Sequence, residues 1–370
     1  MMRKFLLMSL LVTMTMSAGN LKGVDRANLD PTVSPGENFY QYACGGWMKA
    51  NPLDPQYARF GTFDQLRENS REQLKDIITS LGTGHQHGSL EQKVGDLYNM
   101  GLDSVSRNNA GFTPLTADLE IIANSNKKDF VKLIAWMHNG LGDPFFNSAV
   151  MSDLKNSNVN LFYLMQGGLG MGDRDYYLEN DGNTVKVRAA YNNYITTIFQ
   201  LIGYKKGAAT KAAKNVMAIE TELAKVAMSR EETRDYSKLY NMRTIDQLRS
   251  DYPNINWDEY FGALNLHNVE KVCLFQPKSL AKVNEMLGKL KEEQIKQYLT
   301  FKYIDAASNY LSDDFEKANF EMYGRAMSGT QVMQPRWKRA LNVPNMLLGE
   351  AVGQLYVEKY FPADSKKKMQ

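Results

Sequence analysis

The 370 residues contain only two cysteines, Cys44 and Cys273. Two sulfurs exclude a disulfide framework, so apolar packing has to hold the fold, and spacing alone does not say whether the two approach each other. Histidine is nearly as scarce, with four, so a metal site can be searched for exhaustively. A helical zinc site needs two histidines four apart with a glutamate beside the first. No HExxH occurs; His138 and His267 are isolated, and His85 and His87 lie two apart in a glycine-rich stretch that reads as a solvated loop, a copper or zinc pair being the alternative. GxSxG and the cysteine-protease signatures are missing too. The carboxylate pairs Asp313–Asp314 and Glu231–Glu232 read as surface charge, since nothing marks a cleft around them. Charge of one sign is also lacking: 44 basic residues face 41 acidic ones. That balance gives no electrostatic reason to expect nucleic acid or a membrane surface as partner.

Long apolar runs are absent after the N-terminus. Arg3 and Lys4 precede the apolar stretch Phe5 to Met16, and the small residues Ser17, Ala18 and Gly19 follow. This is the order of a secretory signal peptide, and the stretch is shorter than the roughly 20 residues a bilayer span needs. A signal peptide at 1–19 and export to the periplasm or the extracellular space are expected, with no membrane span after cleavage. Hydrophobic residues at 43% and charged residues at 23% are ordinary for a globular chain.

Periodicity predicts a mainly α protein. Residues 20–61 read as an extended lead-in with Pro31, Pro35, Pro52 and Pro55. Helix is predicted from Thr62 to Leu81, with Thr62 and Gln65 as a capping box. Further helices are expected at 93–101, 127–139, 187–204, 208–228, 246–250, 279–286, 292–311 and 345–361, with Pro344 in the first turn of the last. Phe145 to Met151 and Asn160 to Met165 read as one small β-hairpin turning through Asn156 to Asn158. Four glycines within Gly167 to Gly172 require an irregular loop, without the GK[ST] or GxGxxG of a phosphate cradle. A helical lobe at 62–361 and a short tail at 362–370 complete the organisation.

Four motifs then carry a resemblance. Asn38-Phe39-Tyr40-Gln41-Tyr42-Ala43-Cys44-Gly45-Gly46-Trp47 is followed by Ala58-Arg59-Phe60-Gly61-Thr62-Phe63-Asp64-Gln65-Leu66-Arg67. Gly168-Leu169-Gly170 leads to Arg174-Asp175-Tyr176-Tyr177, then come Arg336-Trp337-Lys338-Arg339 and Ala351-Val352-Gly353-Gln354-Leu355-Tyr356-Val357-Glu358. In register from Asp30 to Phe361, they resemble the N-terminal portion of the neprilysin-type zinc metallopeptidases. The resemblance implies the helical lobe of a two-lobed, gluzincin-like peptidase, closing over an oligopeptide substrate opposite a catalytic lobe. It implies zinc in the full-length family but none held by this chain, because the family's HExxH, ExxxD and NAxY segments all lie beyond the last motif. Arg59 and Arg67 match the family's arginines at the C-terminal end of bound peptide, where a guanidinium fork suits a carboxylate. Cys44 matches a cysteine whose family partner is in the catalytic lobe, so it is expected to be unpaired. Ala340, and a position near Gly101, stand where members carry another cysteine pair. Gly45 and Gly46 are expected to allow a tight turn, and Trp47 to fill a core pocket. A stand-alone peptide-binding module and one half of a split peptidase are the alternative readings.

Overall fold

The computed structural model describes residues 25–82 and 84–369, so the expected signal peptide lies outside the described residues. The chain divides into two compact units, one ending at Asp54 and one beginning at Pro55.

In the first unit a 3-10 turn, Arg26–Asn28, precedes helix α1, Phe39–Ala50. Asn38 caps α1 by accepting the Gln41 N–H at 3.0 Å. The Ala43-Cys44-Gly45-Gly46-Trp47 segment is therefore helical, which corrects the expected extended lead-in and tight turn. The glycines serve close approach instead. A Cβ on Gly46 would come within 2.3 Å of the Ala27 carbonyl oxygen, and one on Gly45 within 2.6 Å of Asp30 Cβ. Helical propensity is given up so that α1 can lie against the preceding strand of chain. Trp47 is half-buried rather than enclosed in a core.

The second unit opens with α2, Thr62–Leu81, α3, Leu90–Leu102, α4, Ser104–Ala110, α5, Thr116–Asn124, and α6, Phe130–Asn139. Strands β1, Phe146–Asp153, and β2, Asn156–Gln166, follow, then α7, Asp175–Leu178, α8, Gly182–Leu201, α9, Lys206–Val226, and α10, Tyr236–Leu239. After β3, Asn241–Thr244, come α11, Ile245–Asp251, and α12, Trp257–Ala263. Then come β4, Lys271–Leu274, α13, Pro277–Lys289, α14, Glu292–Ala307, and α15, Asp313–Asn319. A π-helical stretch, Phe320–Met327, precedes α16, Arg336–Leu347, α17, Gly349–Tyr360, and α18, Ala363–Met369. The mainly α expectation holds, and the hairpin proves to be half of a sheet ordered β1-β2-β4-β3. β2 and β4 pair in parallel, with Tyr163 opposite Cys273, and the other two pairs are antiparallel. β3 and β4 are four residues each, too short for alternation to mark them. The hairpin turns at Leu154 and Lys155, so Asn156 to Asn158 belong to β2.

Leu161, Tyr163 and Cys273 form a small apolar cluster on the sheet, and two main cores divide the rest of the described residues of this unit. The larger joins α6, α8, α9, α12, α13 and α14 with one face of the sheet, including Phe162, Leu164, Val272 and Leu274. The smaller joins α2, α3, α16 and α17 through Ile77, Ile78, Val94, Tyr98, Leu341, Val352 and Leu355. Gly101 and Ala340 meet where α3 crosses α16: a Cβ on Gly101 would lie 2.9 Å from Ala340 Cα. The two positions without cysteine are therefore neighbours. Pro344 lies inside α16, not at the start of α17 as expected.

Candidate functional site

The segment from Arg59 to Arg67 begins in irregular chain and ends in the second turn of α2. Gly61, not Thr62, precedes the helix: its N–H donates to Asp64 Oδ2 at 3.0 Å, while its carbonyl accepts the Gln65 N–H at 3.0 Å. The expected cap is thus displaced by one residue, because the carboxylate of Asp64 reaches a backbone donor that the hydroxyl of Thr62 does not face. Arg67 forms an ion pair with Asp64 and keeps 54% of its side chain exposed. Arg59 is exposed. Phe63 and Leu66, at 88% and 56%, are also open to solvent. Spacing of three and four places Phe63, Leu66 and Arg67 on one face of α2. The segment therefore presents two guanidinium groups and two large apolar side chains.

What holds the segment is a set of partly buried polar contacts. Lys338 Nζ donates to Tyr57 Oη at 3.0 Å and pairs with Glu68, which also accepts from Arg71 at 2.7 Å. Burial works against ionisation of Glu68, but the hydrogen bonds from Lys338, Tyr57 and Arg71 win and hold its pKa below the usual value. Lys338 is opposed by its burial and held above its usual value by Glu68 and Tyr57. The N–H groups of Gln331 and Val332 both donate to the Pro55 carbonyl at 3.0 Å. Lys75 Nζ lies 4.3 Å from the centre of the Trp337 ring, and Tyr356 donates to Gln73 at 2.8 Å. The motifs at 336–339 and 351–358 thus brace the helix that carries Arg67.

The glycine-rich motif lies in the other core. Glu220 accepts the Gly170 N–H at 3.1 Å and the hydroxyls of Tyr177 at 2.5 Å and Tyr191 at 3.0 Å. Burial raises its pKa against the field of Lys302 and these donors. Asp305 accepts from Tyr194 at 2.7 Å and Tyr323 at 3.1 Å, and burial raises its pKa likewise. Arg174 donates to the Ala227 carbonyl at 2.5 Å. This network fixes the loop at 167–172, which is irregular as expected; a Cβ on Gly170 would collide with Tyr191 Oη.

The donor set for zinc does not fit among the described residues, which contain no group of three or more histidine, cysteine or acidic side chains able to hold a metal. His85 and His87 are exposed. His138 sits between Tyr260 Oη at 2.8 Å and the Pro144 carbonyl at 3.2 Å, with burial lowering its pKa. Cys44 and Cys273 are free thiols; Cys273 is buried in the sheet, which raises its pKa. No helix of the described residues is long and apolar enough to cross a membrane.

Sequence reasoning singled out Arg59 and Arg67 but missed the Lys338–Glu68–Tyr57 anchor and Glu220. Glu220 left a readable signal, a charge on the apolar stripe Val216, Ile219, Leu223 and Ala224. Asp313, read as surface charge, instead pairs with Arg336 at 2.5 Å.

Residues 35–370 match the family model described as Peptidase family M13. The chain is 28% identical to endothelin-converting enzyme 1 of Bos taurus over 92% of its length and 46% of that protein. It is 28% identical to the membrane metallo-endopeptidase-like 1 protein of Homo sapiens, covering 92% of this chain and 46% of that one. A crystal structure of a zinc metalloprotease of Mycobacterium tuberculosis in complex with inhibitor superposes with a TM-score of 0.87 at 28% identity, over 94% of this chain and 53% of that one. The chain spans about half the length of these relatives.

Proposed function

Because the chain belongs to peptidase family M13 over residues 35–370, we propose that it forms the substrate-enclosing N-terminal part of an exported zinc metalloendopeptidase acting on oligopeptides. The observation that carries the site is the pair Arg59 and Arg67, exposed beside Phe63 and Leu66 on a braced segment. Their guanidinium groups bind the C-terminal carboxylate of a peptide, and the apolar pair offers a surface to its last side chains. Arg67 first gives up part of its ion pair with Asp64, which at this exposure costs little. The catalytic zinc is supplied by a second part of the protein carrying HExxH, a motif that these 370 residues lack. The relatives' greater length supports that division.

Two measurements test the reading. Fluorescence anisotropy with an apolar hexapeptide should show binding that weakens at least tenfold on Arg59→Ala, or on amidation of the peptide's C-terminus. Equal affinity of both peptides for the native chain would refute the assigned carboxylate contact. The purified chain should not hydrolyse peptides, since no metal-activated water is available to it. Turnover that a chelator abolishes would refute the division of labour.

A further inference from the structure

A second cationic site lies away from α2. Arg336 and Arg339 share Glu316: Arg339 Nε is 2.9 Å from its Oε1 and Arg336 Nη2 is 3.7 Å from its Oε2. Arg336 also pairs with Asp313 at 2.5 Å. Arg107 lies close enough that its charge bears on Arg339, whose pKa is lowered by burial and, against the pull of Glu316, by the neighbouring cations Arg336 and Arg107. Three guanidinium groups therefore meet two carboxylates. Two of their nitrogens, Arg107 Nε and Arg336 Nη1, are buried and donate a hydrogen bond to no group among the described residues, whereas Arg339 is met by Glu316. Arg107 is held in place by its other end, where Nη2 donates to the carbonyls of Asn309 at 2.9 Å and Leu311 at 2.8 Å.

Arg107, Arg339 and Glu316 line a cavity of about 380 Å³ whose other walls include Leu97, Met100, Tyr310 and Val343. A buried guanidinium donor without an acceptor costs on the order of 1–3 kcal/mol, and a planar anion removes that cost by accepting from the fork. The apolar walls select what the anion is attached to. Glu316 and Asp313 beside the cations disfavour a dianion such as phosphate, since the surplus charge to be met is a single one.

We propose that this cavity between α3, α4 and α16 binds a small monocarboxylate with an apolar side chain, of the size of one N-acylated amino acid. Its carboxylate accepts from Arg107 and Arg339, and its side chain lies against Leu97, Met100 and Val343. The site is separate from Arg59 and Arg67 and does not depend on them.

Isothermal titration of the full chain with N-acetyl-L-leucine tests this. Binding is expected with 1:1 stoichiometry and to be lost with N-acetyl-L-leucinamide, which has no charge. Acetate should bind at least tenfold more weakly, because it leaves the apolar wall unused. Arg107→Gln should weaken binding tenfold or more. Met100→Glu, at a side chain 66% exposed and so harmless to folding, should do the same by placing a negative charge at the mouth. The double variant Arg59→Ala with Arg67→Ala should bind as the native chain does. Acetate as tight as N-acetyl-L-leucine would mean an adventitious ion only. Native affinity in both Arg107→Gln and Met100→Glu, or loss in the α2 double variant, would overturn the assignment.

Discussion

Glu68 is partly and Glu220 wholly removed from bulk water, and their pKa values move in opposite directions. Glu68 has a lysine and an arginine as donors and is held low, whereas Glu220 has two phenols and one amide and is pushed up by burial. The linkage signs follow. The lowered pKa of Glu68 contributes stability above its ordinary value of 4.5, and that contribution is lost as pH falls through the folded value. The raised pKa of Glu220 favours the fold below 4.5, and that advantage is lost as pH rises through the folded value. Glu220→Gln should therefore flatten the fall of melting temperature on the alkaline side of pH 4.5, leaving the slope due to Asp305. An unchanged slope in circular-dichroism melts would show that Glu220 keeps its proton budget on unfolding. Lys338→Met should cost about 2 kcal/mol at pH 7. That is below the roughly 3–5 kcal/mol of a fully enclosed pair, because Glu68 retains Arg71 and some solvent. Urea denaturation measures it, and a loss under about 0.5 kcal/mol would place the pair among ordinary surface contacts.

Helix contacts set the next scale, and glycine decides two of them. Gly101→Ala drives a methyl group into Ala340, whose Cα is backbone and cannot turn aside. Separation of α3 from α16 should cost about 1–3 kcal/mol, the usual range for an overpacked core, read as a lowered urea midpoint. Gly46→Ala would press on the Ala27 carbonyl in the same way. Protection of the α1 amides should fall in hydrogen exchange while that of α9 is unaffected. Equal protection in α1 would show that the N-terminal unit absorbs the methyl. At this scale the long helices were legible because apolar spacing persists: α2 and α14 begin where the pattern places them. The cap of α2 was misplaced by one residue because Thr62 and Gly61 are both plausible before a helix, and only backbone geometry chooses Asp64 as the acceptor. Two glycines normally break a helix, so the letters at Gly45 and Gly46 point to a turn; the chain packed at 27–30 is the reason α1 carries them. The short strands β3 and β4 had no pattern of their own and exist because β2 offers them an edge.

For the whole molecule, sequence alone established the family, since four motifs in register need no coordinates to be recognised, and the family model spans 35–370. It also showed that no HExxH lies within 370 residues, which is a property of the letters and not of the fold. Tertiary structure decided what the motifs do. Residues 270 apart in the chain, Glu68 and Lys338, become an ion pair that steadies the start of α2, and Gly170 meets Glu220 from fifty residues away. Arg336 and Arg339 share Glu316, and Arg107, more than two hundred residues away in the chain, is brought to the same place and keeps a buried donor without an acceptor. Such pairings are long-range: they depend on which helices cross, and helix crossing follows from core packing summed over many side chains, which no local pattern encodes.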